Sequence, residues 1–244
     1  MFVLSNKELE CELKQKYVGR LEKMKKNLLN SFESEQLTEL GKVCMEGELF
    51  SSELLYLLYF NFNSQKKTCE MLEETAVCIG YLENMVQWHR DVRQKKEISE
   101  KQIYKHIAIS VAGDRFIYSV FQPIIQGMQN KEVLSCLSKV FDHFYQELRK
   151  NDSTENIDFY ENLCRIPALC AEVKPSFEEK FRQLGRVIGA WADIRNNITR
   201  EEKQIWRQKT DDYLWQCKCI LSDFPKNLYR EELFSLLNRK MCEE

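Results

Sequence analysis

The chain is expected to be all-α, and three observations carry that expectation. Its 244 residues include only 8 glycines and 4 prolines, so turns are few and the elements between them long. Leu, Glu and Lys, which fit a helix at little cost, are abundant. Apolar residues recur at steps of three and four, the spacing that keeps them on one helical face.

Composition also bounds what the chain can do. Charged residues at 30% and hydrophobic residues at 43% describe a soluble globular protein. The length suits one large domain, read here as a single unit over residues 1–244. A formal charge of −2 gives no support for nucleic-acid binding. No apolar run approaches the roughly 18 residues of a membrane span. Charges follow the first four apolar residues closely, unlike a signal peptide. A cytoplasmic location is therefore expected, with the 10 cysteines as free thiols. Cys217 and Cys219 are the one close pair, and no second Cys or His pair stands at zinc spacing.

The elements follow in order. Over residues 7–40, Leu9, Leu13, Tyr17, Leu21, Met24 and Leu28 mark an amphipathic helix with a Lys- and Glu-rich opposite face. Residues 53–62 form an apolar run short enough for a strand, but helical neighbours make it a buried helix. A helix over 68–92 carries Leu72, Val77, Ile79, Leu82, Met85, Val86 and His89. Another covers 103–128, where Pro123 predicts a kink. Over 133–150, Val140, Phe144 and Glu147 step beside Leu137, Phe141, Tyr145 and Leu148. Residues 151–156 are a polar linker in which Ser153 or Thr154 is placed to cap the next helix. Helices over 158–173, 175–199, 202–223 and 230–242 complete the chain, and Pro175 suits a first helical turn. The sum is one bundle of roughly nine or ten helices, without internal repeats.

Residues 184–197 are the most informative. Gly185, Gly189, Asp193 and Asn196 share one helical face. Each glycine costs about 1 kcal/mol of helix propensity relative to Ala, so close packing against another backbone must return it. The segment resembles the second aspartate-rich motif of the trans-isoprenyl diphosphate synthases (the polyprenyl synthetase family), Gly-x-x-x-Gly-x-x-x-Gln-x-x-Asp-Asp-x-x-Asp. Asp193 stands at the Gln, Asn196 and Asn197 at the paired Asp, and Arg200 at the last Asp. Three further segments are similar to the same family, in the same order. His89-Arg90-Asp91-Val92-Arg93-Gln94, followed by Lys95-Lys96, stands where the family has His-Asp-Asp-x-x-Asp and a basic run. Ala112-Gly113-Asp114 stands at the family's Ala-Gly-Asp, and Arg165 stands at the Lys of Lys-Thr-x-x-Leu. Together they cover about residues 70 to 200.

The resemblance implies the isoprenoid-synthase type of helical bundle. It also implies a reaction whose allylic diphosphate leaving group is held by magnesium between two acidic clusters. Here the first cluster keeps Asp91 alone, and the second offers only Asn196 and Asn197, with Asp193 a turn earlier. Arg90 and Arg200 place cations where metals would sit, and like charges about 4 Å apart repel by about 4 kcal/mol at an effective dielectric of 20. The family's basic Gly-Lys-x-x-Arg-Pro stretch is replaced by Gly47-Glu48-Leu49-Phe50-Ser51-Ser52. No cofactor is therefore expected.

The resemblance thus implies a catalytically degenerate chain, inactive alone, whose partner is an active prenyl synthase subunit or a second copy of itself. Arg90, Arg93, Lys96, Arg165, Arg195 and Arg200 are candidates to hold a prenyl diphosphate without metal, by charge-assisted hydrogen bonds. Asp91, Asp193, Asn196 and Asn197 form the depleted metal set, and Trp88 and Trp191 either line a prenyl pocket or fill the core. Asp114 caps a helix or meets a ligand; His89 is a buried structural histidine or a base. Two other functions stay open. A divergent terpene cyclase or prenyltransferase would use magnesium at Asp91, Asp193 and Asn197, although Arg200 and Gln204 break the cyclase pattern. A helical adaptor would bind through an exposed stripe over 54–62.

Overall fold

A computed structural model describes residues 50–63, 70–94, 130–149, 156–197 and 203–242. Among these described residues are seven helices: α1 (Phe50–Phe62), α2 (Glu70–Gln94), α3 (Lys131–Arg149), α4 (Asn156–Cys170), α5 (Pro175–Asn197), α6 (Lys203–Ser222) and α7 (Leu228–Cys242). There is no strand among the described residues. The expected helices over 7–40 and 103–128, Asp114 and residues 151–155 of the linker lie outside the described residues.

α1 is the buried centre. It is apolar all round, and a helix without a polar face needs neighbours on every side. It packs against α2, α4 and α7, and all its residues from Phe50 to Asn61 are buried except Glu53. Tyr56, Tyr59 and Phe60 are core side chains. The run over 54–62 is thus interior rather than the exposed stripe that an adaptor would need.

α4 and α5 make the tightest contact, and two glycines allow it. A Cβ built on Gly189 would stand 2.6 Å from the carbonyl oxygen of Asn156 and closer still to the Cα of Ile157. One built on Gly185 would stand 2.7 Å from the Cα of Glu161 and closer to the Tyr160 carbonyl oxygen. All four are backbone atoms, so no rotamer change makes room. The packing expected of this glycine face is present.

Local chemistry sets the helix ends. Asn130 caps α3, its Oδ1 accepting from the amide of Glu132 at 2.9 Å. Asn227 caps α7 through the amide of Arg230 and exchanges amide hydrogen bonds with Asn61 at the end of α1. Pro175 opens α5, where its missing N–H leaves no helical bond unmade. α4 carries Pro167 inside its last turn and ends just beyond it. Val173 N–H donates back to the Ala168 carbonyl, and Glu172 takes a left-handed φ of 52°. That geometry is the helix stop usually given to glycine.

The bundle has two distinct ends. At one, Phe62 meets Phe177, Phe181 and Phe224 with ring centroids 5.1–5.2 Å apart. At the other lie the last turns of α2, α3 and α5 and the first turn of α4. Described cysteines are free thiols, and burial pushes Cys78 and Cys164 up and Cys217 up to about 12. Cys217 is buried and Cys219 exposed, as two residues 200° apart on a helix must differ. No helix among the described residues is long and apolar enough to cross a membrane.

Candidate functional site

Of the residues singled out from sequence, Arg90, Trp191, Asp193 and Arg195 are described on the helix turns at the second end. Arg90 lies in the last turns of α2 and bridges Glu147 of α3, whose side chain is only 5% exposed. A carboxylate that buried needs a cation, and Arg90 supplies it across 57 residues of chain. One turn before Glu147, His143 stacks on Phe159 of α4, with centroids 4.4 Å apart and planes at 27°. Burial pulls the His143 imidazole below its ordinary range, Glu147, Asp193 and Asp142 pull it up, and Arg90 pushes it down.

Asp193 closes this end from α5. Its Oδ1 accepts the backbone N–H of Asn156 at 2.8 Å and the Asn156 Nδ2 at 2.7 Å. Asn156 opens α4, so a carboxylate on the neighbouring helix serves as the cap of α4. Gly185, Gly189 and Asp193 therefore share one task along one face: the glycines let α4 approach and Asp193 holds its first turn. Asp193 also lies near enough to Tyr213 of α6 to add its charge to the burial that raises that phenol.

Trp191 is 2% exposed and belongs to the core cluster, with the Arg195 guanidinium 5.3 Å from its ring centroid. Deeper inside, Glu83 on α2 accepts the Ser51 amide at 3.1 Å and the Ser51 hydroxyl at 3.0 Å. Glu83 thereby caps α1 as Asp193 caps α4. Burial, followed by the Glu83 charge, raises the pKa of Tyr160 beside it.

Arg165 does not join this group. Its Nε donates to Glu178 of α5 at 2.6 Å, and its other nitrogens meet Glu132 of α3 and, at 3.8 Å, the Cys136 sulfur. Glu132 and Glu147 stand at opposite ends of α3, about 22 Å apart at 1.5 Å per residue. Through these partners Arg165 straps α3, α4 and α5 together near the opposite end of α3 from Arg90 and Glu147. Trp88, Asp91 and Arg93 lie on α2, and Asn196 and Asn197 close α5, but their side chains are outside the described residues. Lys96 and Arg200 lie outside them altogether.

Sequence reading passed over Glu147, His143, Asn156 and Glu83 as site residues. One signal was present: Glu147 stands in the apolar stripe of α3, where an acid is out of place without a partner. The cap on Asn156 comes from a residue 37 positions away, which local spacing does not encode.

Among the described residues, no three carboxylate, imidazole or thiol groups stand together as metal ligands. Asp193 Oδ1 already takes two N–H donors, and Glu147 is matched by Arg90.

Comparison with solved structures places the fold. A geranyltranstransferase from Methanosarcina mazei superposes with a TM-score of 0.65 at 12% identity, over 92% of this chain and 97% of that one. A decaprenyl diphosphate synthase from Rhodobacter capsulatus gives 0.67 at 9% identity, over 96% and 98%. A geranyltransferase from Legionella pneumophila gives 0.65 at 15%, over 96% and 99%. No protein-family model matches the chain, and no curated protein matches its sequence. The fold is thus the all-helical bundle of the trans-prenyl synthases, shared at identities that establish architecture alone.

Proposed function

We propose that this chain is a catalytically degenerate protein of the prenyl-synthase fold that acts as a structural or regulatory subunit beside an active prenyl synthase. The observation that carries the reading is the Arg90–Glu147 bridge. Arg90 stands where the resembling motif has its first aspartate, and a cation neutralised by a buried acid neither binds a metal nor repels one selectively. The engagement of Asp193 as a cap supports the same reading from the facing helix. The helical scaffold is kept while Arg90, Glu147 and Asp193 are spent on internal pairing. Such a chain contributes surface, and obligate helical interfaces bury thousands of Å².

Within this reading, any prenyl diphosphate is held without magnesium by cations at this end. Arg93, Lys96, Arg195 and Arg200 are the proposed set, and Arg90 joins only when Glu147 releases it. Asp91, Asn196 and Asn197 supply polar contacts to the same ligand, and Trp88 an apolar wall.

Two experiments test the proposal together. The purified chain, given isopentenyl diphosphate, an allylic diphosphate and magnesium, yields no elongated product. Co-expressed with an active prenyl synthase from the same source, it copurifies as a stable complex and shifts product length. Elongation by the chain alone overturns the degenerate reading; an inert monomer that ignores such synthases overturns the subunit reading.

A further inference from the structure

His143 stands where four helices meet, and the proposed function leaves it unused. It shares a face of α3 with Glu147, one turn on, so the two side chains are neighbours. Phe159 of α4 covers its ring. The charged groups facing it are Arg90 from α2, Glu147 and Asp142 from its own helix, and Asp193 from α5. Glu147 thus stands beside Arg90, which is always charged, and His143, which is charged only when protonated.

We propose that His143 is a proton-operated latch that decides whether Arg90 is bound. A proton taken from solvent onto the imidazole makes His143 a second cation for Glu147. The Arg90–Glu147 bridge is then divided, and the like charges of Arg90 and His143 repel. The Arg90 guanidinium moves towards solvent, and the last turn of α2 loosens from α3. Asp193 feels the same new charge with the opposite sign: its carboxylate is drawn towards His143 while Arg90 is pushed away. No bond other than the N–H bond forms or breaks, and the change reverses when the proton leaves. The latch rests on these helix ends alone and stands whether or not the chain has a partner.

The sign follows from burial. Because the folded protein disfavours the imidazolium, the closed state is fully stable above the ordinary value of 6.5 and loses stability as pH falls below it.

Amide exchange at the ends of α2 and α3, corrected for intrinsic rates, tests the latch between about pH 7.5 and about pH 5. The wild-type chain shows a one-proton step with about tenfold loss of protection there. His143→Gln and His143→Phe lack the step, and Arg90→Gln is open at both limits. The imidazole resonance of His143 provides a second readout on the wild-type fold: Arg90→Gln raises its pKa and Glu147→Gln lowers it. A step that persists in both His143 variants overturns the latch. So does a wild-type chain without a step, or a His143 titration that neither Arg90→Gln nor Glu147→Gln moves.

Discussion

A methyl group at Gly189 has no space to occupy. It would stand 2.6 Å from the Asn156 carbonyl oxygen, where ordinary contact begins at 3.4 Å, so α4 and α5 must part by about 1 Å. Overpacking of this kind costs about 1–3 kcal/mol. The same displacement stretches the Asp193–Asn156 hydrogen bonds of 2.7 and 2.8 Å, which adds about 1 kcal/mol for a weakened cap. Against this, alanine returns about 1 kcal/mol of helix propensity. The balance is a loss of about 2 kcal/mol, or a Tm lower by about 4–8 °C for a chain of this size. Thermal and urea unfolding of Gly189→Ala measure it. Gly185→Ala costs about as much, and the double variant costs less than the sum, because one separation relieves both clashes. A Gly189→Ala protein as stable as wild type, or more stable, would refute the close approach of α4 and α5 and the capping role derived from it.

Other expectations follow from single contacts. Asp193→Ala removes a charged acceptor from the first turn of α4 and lowers stability by about 2 kcal/mol in urea titration, with Asp193→Asn intermediate. Glu172→Gly relieves the left-handed φ at the end of α4 and raises stability by about 1 kcal/mol. The Arg186 and Arg182 guanidinia hold Glu161 below its ordinary value of 4.5, with salt links of 2.6–2.7 Å. A carboxyl depressed in the folded state adds stability above pH 4.5 that disappears as pH falls through its lowered value. Denaturation series below that pH therefore show a steeper loss in wild type than in Glu161→Gln. Phe181→Ala removes a fully buried ring packed on Phe62 and Phe224 and costs about 3–5 kcal/mol.

The sequence made some of this visible because the information was local. The apolar run over 54–60 had to be buried whatever surrounded it, and it is. Gly185 and Gly189, a turn apart on one face, announced a close backbone approach without naming the partner. Pro175 marked the start of α5. The Asn130 and Asn227 caps were equally local, and a search for Asn before an apolar-periodic stretch would have found them. The charged end was not legible in the same way. Arg90 with Glu147, Asp193 with Asn156, and Arg165 with Glu132 and Glu178 join residues on different helices, and no spacing rule selects such partners. Arg165 illustrates the cost: motif position brought it to the site, while two carboxylates fix it near the other end of the bundle. Capping of α4 shows the reverse case, in which an apparent metal ligand, Asp193, has a structural use that sequence order concealed.

Calorimetry of farnesyl diphosphate with the purified chain, with and without magnesium, tests the central claim most directly. With Arg90 and Glu147 paired and Asp193 serving as a cap, magnesium is expected to make no difference to binding, whatever affinity the remaining cations give. Tight binding that requires magnesium and is lost in Asp91→Ala would contradict it, because the chain would then assemble a working metal site.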